Sequence, residues 1–362
     1  MSNSKVSVCV VTILYVVLVL ICLFRPADEF SASERRKLAQ KPQFTWESFT
    51  SGKLAGEAES YATDQFPFRD AMRSLKAEFS LNIMKKADTN DIFVKDGYLC
   101  AMEYPMEEDS IIRAAKIFEG IYEKYLQDSE VNAYFSVIPD KSYFLAGKDY
   151  LSMDYELFFA EMYEQTPFLM PIPIEKNLQL SDYYRTDTHW KQEEITDVAH
   201  LLAKEMGVQL AGSYEVKTLD VPFYGVYYGQ AAVAAEPDAI SYCTNDVLDN
   251  CTVFDYENNK AISLYDIEKV KGRDPYEMFL GGNISLVTVT NPAATSDKEL
   301  VVFGDSFARS MVPLLAEGYT KTTMIDIRYL PSAYIGNYVT FSSQDVLFLY
   351  STSVLNNSIT LK

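Results

Sequence analysis

The sequence predicts an α/β fold with a mainly parallel sheet, held behind a single N-terminal membrane-spanning helix. Three observations lead there: short apolar runs of strand type recur along the chain, stretches with helical spacing fall between them, and residues 6–24 carry no charge. With 362 residues, 48% hydrophobic and 14% aromatic, the chain can fill a large core. Its formal charge of −19 argues against nucleic acid as a partner, because phosphate binding draws on clustered Lys and Arg and none cluster here.

The run VSVCVVTILYVVLVLICLF, Val6 to Phe24, is long enough to cross a hydrocarbon core, which takes roughly 20 residues. A secretory signal peptide has a shorter apolar stretch, about 7–15 residues, and a small-residue cleavage site. No A-x-A follows here, so residues 1–25 are expected to be an uncleaved signal anchor that meets the lipid bilayer through residues 6–24. Cys22 follows Val19, Leu20 and Ile21, where a lipid-attachment site would want a small residue at position 21. Flanking charge, Lys5 against Arg25, Arg35, Arg36 and Lys37, does not favour an external body, but a short tail before a long acidic domain does. The expected location is the cell membrane, single-pass, with the body extracytoplasmic.

Residues 26–60 are polar and punctuated by Pro26 and Pro42, and read as a stalk; residues 61–362 read as the folded main domain. Within it, helical spacing covers Phe68 to Met84 and Ser110 to Tyr125, and VNAYFSVIP (131–139) reads as a strand stopped by Pro139. A further helix with Ile195, Val198, Ala199, Leu202 and Met206 on one face ends at Gly207. Strand-type runs follow at 285–290, 299–304, 322–327 and 345–350, with a helix from Ala308 to Glu317 that Pro313 should kink or shorten. Cys9 and Cys22 lie in the anchor; Cys243 and Cys251 could close a short loop, and Cys100 is left over.

There are only two histidines, so an imidazole base must be His189 or His200. His200 shares a helical face with Glu193, Thr196, Asp197 and Lys204, a solvated stripe. His189 lies in YYRTDTHW (183–190), two residues after Asp187. Thr186, Asp187 and Thr188 are all good N-cap residues, and a helix entrance is one reading of the segment. The other rests on VVFGDSFARS (301–310), where an apolar strand ends at Gly304 and a serine opens a helix. A serine there is exposed at the sheet edge, beside backbone N–H groups able to hold an oxyanion. A serine hydroxyl needs a base, and an imidazole base needs a carboxylate to fix its tautomer; Ser306, His189 and Asp187 supply the three types.

YYRTDTHW with the downstream GDSF resembles the DHHW family and the related alginate O-acetylation proteins. ATDQFPFRDAMRSLK, FVKDGYL, VIPDK, PFYGVYYG, MFLGGN and IDIRYL also resemble that family's landmarks. One departure is visible: Thr188 stands where the first His of DHHW would be. The resemblance implies an SGNH-hydrolase-like three-layer α/β/α sandwich, with Ser306 as nucleophile, His189 as general acid/base and Asp187 as its orienting carboxylate. FLGGN offers Gly282 and Asn283 as oxyanion donors, or else is a tight loop whose glycines permit positive φ. Tyr184 and Arg185 could contact sugar or acyl groups, and equally suit a core and a surface. The implied activity is acetyl transfer to hydroxyls of a polysaccharide acceptor, with a membrane-bound O-acyltransferase as acetyl donor and no metal or organic cofactor. An acetyl esterase using the same triad, and a non-catalytic polysaccharide-binding scaffold, are the alternatives.

Overall fold

The computed structural model describes residues 3–31, 33–147 and 149–362. It divides into two compact units, residues 1–90 with 228–234, and residues 91–227 with 235–362.

The larger unit is built on an eight-stranded sheet. In chain order its strands are β1 (Asn132–Ile138), β2 (Met170–Pro171), β3 (Thr252–Asp255), β4 (Lys260–Ile262), β5 (Leu286–Thr290), β6 (Glu299–Gly304), β7 (Lys321–Ile325) and β8 (Asp345–Ser351). They lie side by side as β4-β3-β5-β7-β6-β8-β1-β2. The pairings from β7 through β6, β8 and β1 to β2 are parallel, and those among β4, β3, β5 and β7 are antiparallel. The sheet is therefore mainly parallel, as the alternation of strand and helix signals predicts.

The parallel strands are apolar on both faces because both faces are covered. Leu300, Val302, Leu347 and Leu349 point into one core, and Val301, Phe303, Val346 and Phe348 into the other, the period of two that a strand imposes. The first core is closed by Val198, Ala199 and Leu202 from one helix (Thr196–Glu205) and Met311, Val312 and Leu315 from another (Ala308–Leu315). The second is closed by Ile111, Ala114 and Phe118 (helix Glu108–Ile121) and Phe158 and Met162 (helix Tyr155–Gln165). The result is the SGNH-hydrolase-like three-layer sandwich, and each fully buried Leu, Ile or Phe contributes roughly 1.5–3 kcal/mol to it.

Pro313 lies inside its helix, which ends two residues later and passes into a 3₁₀ turn, Ala316–Gly318. The helix after YYRTDTHW begins only at Thr196, with Ile195 before it and no side-chain cap. The motif is thus not a helix entrance. Cys100, Cys243 and Cys251 are all free thiols.

The smaller unit begins with α1 (Asn3–Phe24), long and apolar enough to cross a membrane. The segment 26–60 carries more regular structure than its composition predicts, holding α2 (Trp46–Thr50) and the start of α3 (Lys53–Asp64). Thr45 explains the first of these: its hydroxyl accepts the Ser48 N–H while the Ser48 hydroxyl accepts the Thr45 N–H, a capping box. Then comes α4 (Arg69–Glu78), extended by one wider turn to Ile83.

Candidate active site

Strands β6, β8 and β1 run parallel as neighbours, and the chain leaves them at Gly304, Ser351 and Ile138 along one edge of the sheet. Ser306 stands at this edge, half-buried, between β6 and the helix that begins at Ala308. The turn is tight because Gly304 has no side chain: a Cβ there would come within 2.5 Å of the Ala308 Cβ. Asp305 is buried and holds the turn from below. One of its oxygens accepts the Phe307 N–H at 3.0 Å; the other accepts the Ser351 N–H at 2.8 Å and the Ser351 hydroxyl at 2.7 Å. Among the described residues, nothing accepts the Ser306 N–H.

The octapeptide YYRTDTHW forms a loop closed at its base, where Tyr183 and Trp190 make an antiparallel bridge and the Tyr184 N–H donates to the His189 carbonyl at 3.1 Å. At its crest Asp187 folds back on the chain, its Oδ1 accepting the His189 N–H at 3.1 Å. Such an Asx turn brings the ring to the same oxygen, and His189 Nδ1 lies 2.6 Å from it. His189 Nε2 is 2.8 Å from Ser306 Oγ. An ionised carboxylate only accepts, so Nδ1 carries the proton and Nε2 is left to accept the serine O–H.

Four further supports fix this geometry. Asp187 is buried, and its Oδ2 accepts the Val226 N–H at 2.8 Å. Asp238 holds the crest, accepting the Arg185 and Thr186 N–H groups at 2.8 Å each and the Thr186 hydroxyl at 2.6 Å. The ring of His189 stacks on Tyr276, centroids 3.8 Å apart and planes within 8°. Trp190 ties the loop to the helix that follows Ser306, its Nε1–H donating to the Ser310 hydroxyl at 2.8 Å and the Phe307 carbonyl at 3.1 Å.

Lys141 lies beneath the loop, fully buried, donating from Nζ to the Tyr184 carbonyl at 2.9 Å and the Arg185 carbonyl at 3.2 Å. Burial pulls its ammonium down to about 8. The next residues along the edge are consecutive hydroxyls that each hold one carboxylate: Ser351 holds Asp305, Thr352 holds Asp140 at 2.8 Å and Ser353 holds Glu103 at 2.8 Å. Burial raises the carboxyl of Glu103, and the charge of Asp140 adds to it.

The structure brings Asp187, His189 and Ser306 together, and arranges the other expected residues differently. Tyr184 is fully buried in a cluster with Phe223 and Tyr276 and meets both edge-on. Arg185 is exposed and contributes its backbone to the loop. The Gly282 N–H is taken by the Phe279 carbonyl at 3.1 Å, and Gly282 adopts φ +80°, so its loop reading is the one observed. Asn283 donates to Glu277 at 3.4 Å. His200 lies half-buried on the helix Thr196–Glu205. Sequence reasoning passed over Asp238 and Tyr276, for which no local pattern speaks. It also passed over Gly225, although PFYGVYYG holds it: a Cβ there would lie 2.3 Å from the Asp187 backbone.

A three-layer α/β/α sandwich with a Ser-His-Asp line at the carboxyl edge of its parallel strands is the class these observations define. The family model described as DHHW protein matches residues 175–325, a stretch that includes all three members of that line. The resemblance read from the sequence is borne out by this match. No curated protein matches the chain. Among solved structures, a DHHW family protein from Eubacterium siraeum is similar, with 20% identity, a TM-score of 0.60, and 74% of this chain and 93% of that chain covered. Bacillus cereus PatB1 with a sulfonyl adduct is similar at 17% identity and a TM-score of 0.58, covering 73% of this chain and 95% of that one. These likenesses show the fold.

Proposed function

We propose that the protein is an extracytoplasmic, membrane-anchored O-acetyltransferase that transfers acetyl groups to hydroxyls of a cell-surface or secreted polysaccharide through an acetyl-Ser306 intermediate. The observation that carries this reading is the unbroken hydrogen-bonded line from Asp187 Oδ1 through His189 to Ser306 Oγ, 2.6 and 2.8 Å. His189 Nε2 takes the Ser306 proton as Oγ attacks the acetyl carbonyl of the donor, and the oxyanion that forms meets the unclaimed Ser306 N–H. The proton passes from His189 to the leaving group. In the second half His189 takes a proton from a sugar hydroxyl, whose oxygen attacks the acetyl carbon; the bond to Oγ then breaks and His189 returns the proton to it, restoring the Ser306 hydroxyl. Asp187 stabilises the imidazolium in both halves.

The DHHW resemblance supports the acetyl group, the polysaccharide acceptor and a membrane-bound O-acyltransferase as donor. The anchor reading of α1 supports the location. The test incubates the full-length protein with an acetyl ester and oligosaccharides and follows both free acetate and acetylated sugar by mass spectrometry. Acetylated sugar that disappears in Ser306→Ala is expected. Hydrolysis unchanged by any acceptor would instead make the protein an acetyl esterase, and activity retained by Ser306→Ala would remove the triad.

A further inference from the structure

In the smaller unit, α4 and its extension carry an apolar stripe on a face that nothing in the unit covers. Phe68, Met72, Leu75, Phe79 and Ile83 recur at steps of three and four, the spacing of one helical face, and that face is bare: Leu75 is 64% and Ile83 67% exposed. The side turned inward carries two arginines, while Asp70, Ser74, Lys76 and Glu78 stay in water beside the apolar stripe. Arg69 pairs with Glu34 at 2.5 Å, Arg73 pairs with Glu34 at 3.4 Å and donates to the Gly229 carbonyl at 2.8 Å, and Ala77 and Ser80 are buried. A second apolar group lies in the same unit, where Phe44, Trp46 and Phe49 pack on one another with ring centroids 5.7–6.0 Å apart, Trp46 being 74% exposed. A helix that hides its arginines and shows water its phenylalanines is built to meet an apolar medium.

The position of the stripe says which medium. It starts where α1 ends: Ile21 of its last turn and Arg25 just after it line the same hollow, about 460 Å³, as Phe66, Pro67 and Phe68. Asp28, just beyond the spanning helix, is tied to the end of α3, its N–H donating to Gln65 Oε1 and its carbonyl accepting from Gln65 Nε2, both at 2.8 Å. At the other end of the stripe stand Lys85 and Lys86, both exposed. Exposed aromatics beside a spanning helix and a cationic end suit the headgroup region of a bilayer containing anionic lipid.

We infer that the outward face of α4, with the Phe44, Trp46 and Phe49 cluster, lies in the interface of the same lipid leaflet from which α1 emerges. This inference rests on α1 as the anchor and is independent of the chemistry at Ser306. It makes the unit a membrane-lying foot instead of a flexible tether.

The chain has two tryptophans, Trp46 and a fully buried Trp190, so fluorescence reads the interface directly. The full chain is reconstituted in phosphatidylcholine vesicles with about one fifth phosphatidylglycerol, using lipids brominated high on the acyl chains. The part of the emission that Trp46→Phe removes is expected to be blue-shifted and quenched by at least about half. Leu75→Trp in the Trp46→Phe background, and separately Phe79→Trp, should each restore a blue-shifted, quenched signal. Red emission without quenching, from protein that resists carbonate extraction, overturns the inference and leaves the anchor standing. A blue-shifted signal that bromine does not quench also overturns it, because a second protein surface then covers the stripe. Release by carbonate overturns both the inference and the anchor.

Discussion

The turn that carries Ser306 and the loop that carries Asp187 and His189 meet at one 2.8 Å contact, yet they are held in different ways. The Ser306 turn is largely local: a strand end, a glycine that lets the helix close in, and Asp305 bonded to Phe307 two residues on, with one strand neighbour, Ser351. The Asp187 loop has no regular structure of its own beyond its bridged base. The loop, base and crest together, is fixed by residues 39 to 120 positions away, Gly225 and Val226, Asp238, Lys141 and Ser310. Ser306 is thus positioned by the fold itself, whereas His189 is positioned by a set of braces. The two sides should fail differently.

On the Ser306 side, the proposed acetyl transfer should fall by about 10³-fold or more in Ser306→Ala while the melting temperature stays nearly unchanged, since a small hydroxyl at a half-buried position is all that is lost. His189→Ala should cost about as much, and the double variant little more, because the two act as a unit. Steady-state transfer rates and thermal melts of the three proteins check this. The brace side breaks from a distance. In Gly225→Ala the new Cβ would meet the Asp187 backbone at 2.3 Å, so Asp187 must move. A shift of about 1 Å in a catalytic group costs on the order of 10²-fold, and overpacking costs about 1–3 kcal/mol, so both rate and melting temperature should fall. A rate that survives Gly225→Ala would mean that the loop is not braced from residue 225.

The same contrast explains what could be read from the sequence. The β6 strand, its terminal glycine and the serine after it are contiguous, and local pattern finds them with the right bounds, 299–304. The apolar run of β8 is found for the same reason, 345–350 against Asp345–Ser351. Asp187 and His189 were legible as a chemical pair but not as a loop: three good capping residues before an amphipathic stretch suggest a helix start, and capping chemistry is indifferent to whether the N–H groups it receives are helical. Here they belong to His189 and to residues 225 and 226, the latter two at the start of another helix, Val226–Ala231, remote in sequence. Asp238, in PDAI, and Tyr276, in DPYEM, have no spacing that marks them, since their partners are set by the three-dimensional path. FLGGN left two readings open in sequence, and in the structure the Gly282 N–H is taken by the turn itself, at the Phe279 carbonyl.

Smaller effects should sharpen the brace side. Asp238→Asn keeps the shape but replaces one accepting oxygen by a donor, so at least one of the bonds from the Arg185 N–H, Thr186 N–H and Thr186 hydroxyl is lost. About 1–3 kcal/mol of stability and roughly tenfold in rate should go with it, read by denaturant titration and by transfer kinetics. Lys141→Met should slow transfer at pH 7 only several-fold, since it removes two bonds to the loop's carbonyls and leaves the Asp238 brace intact. Its sharper signature is in pH. Burial lowers the Lys141 ammonium from 10.5 to about 8 in the folded chain, so between these values the unfolded chain holds the extra proton. Burying the charge therefore penalises the folded wild type fully below pH 8, and the penalty fades as pH rises toward 10.5. Wild type should gain stability relative to Lys141→Met across that window, by on the order of 2–3 kcal/mol. Urea titrations of both proteins from pH 7 to 10 measure the difference, from which titrations common to the two chains cancel. A constant difference would mean that Lys141 keeps its proton when folded as tightly as when unfolded, and that its two carbonyl partners fully offset its burial.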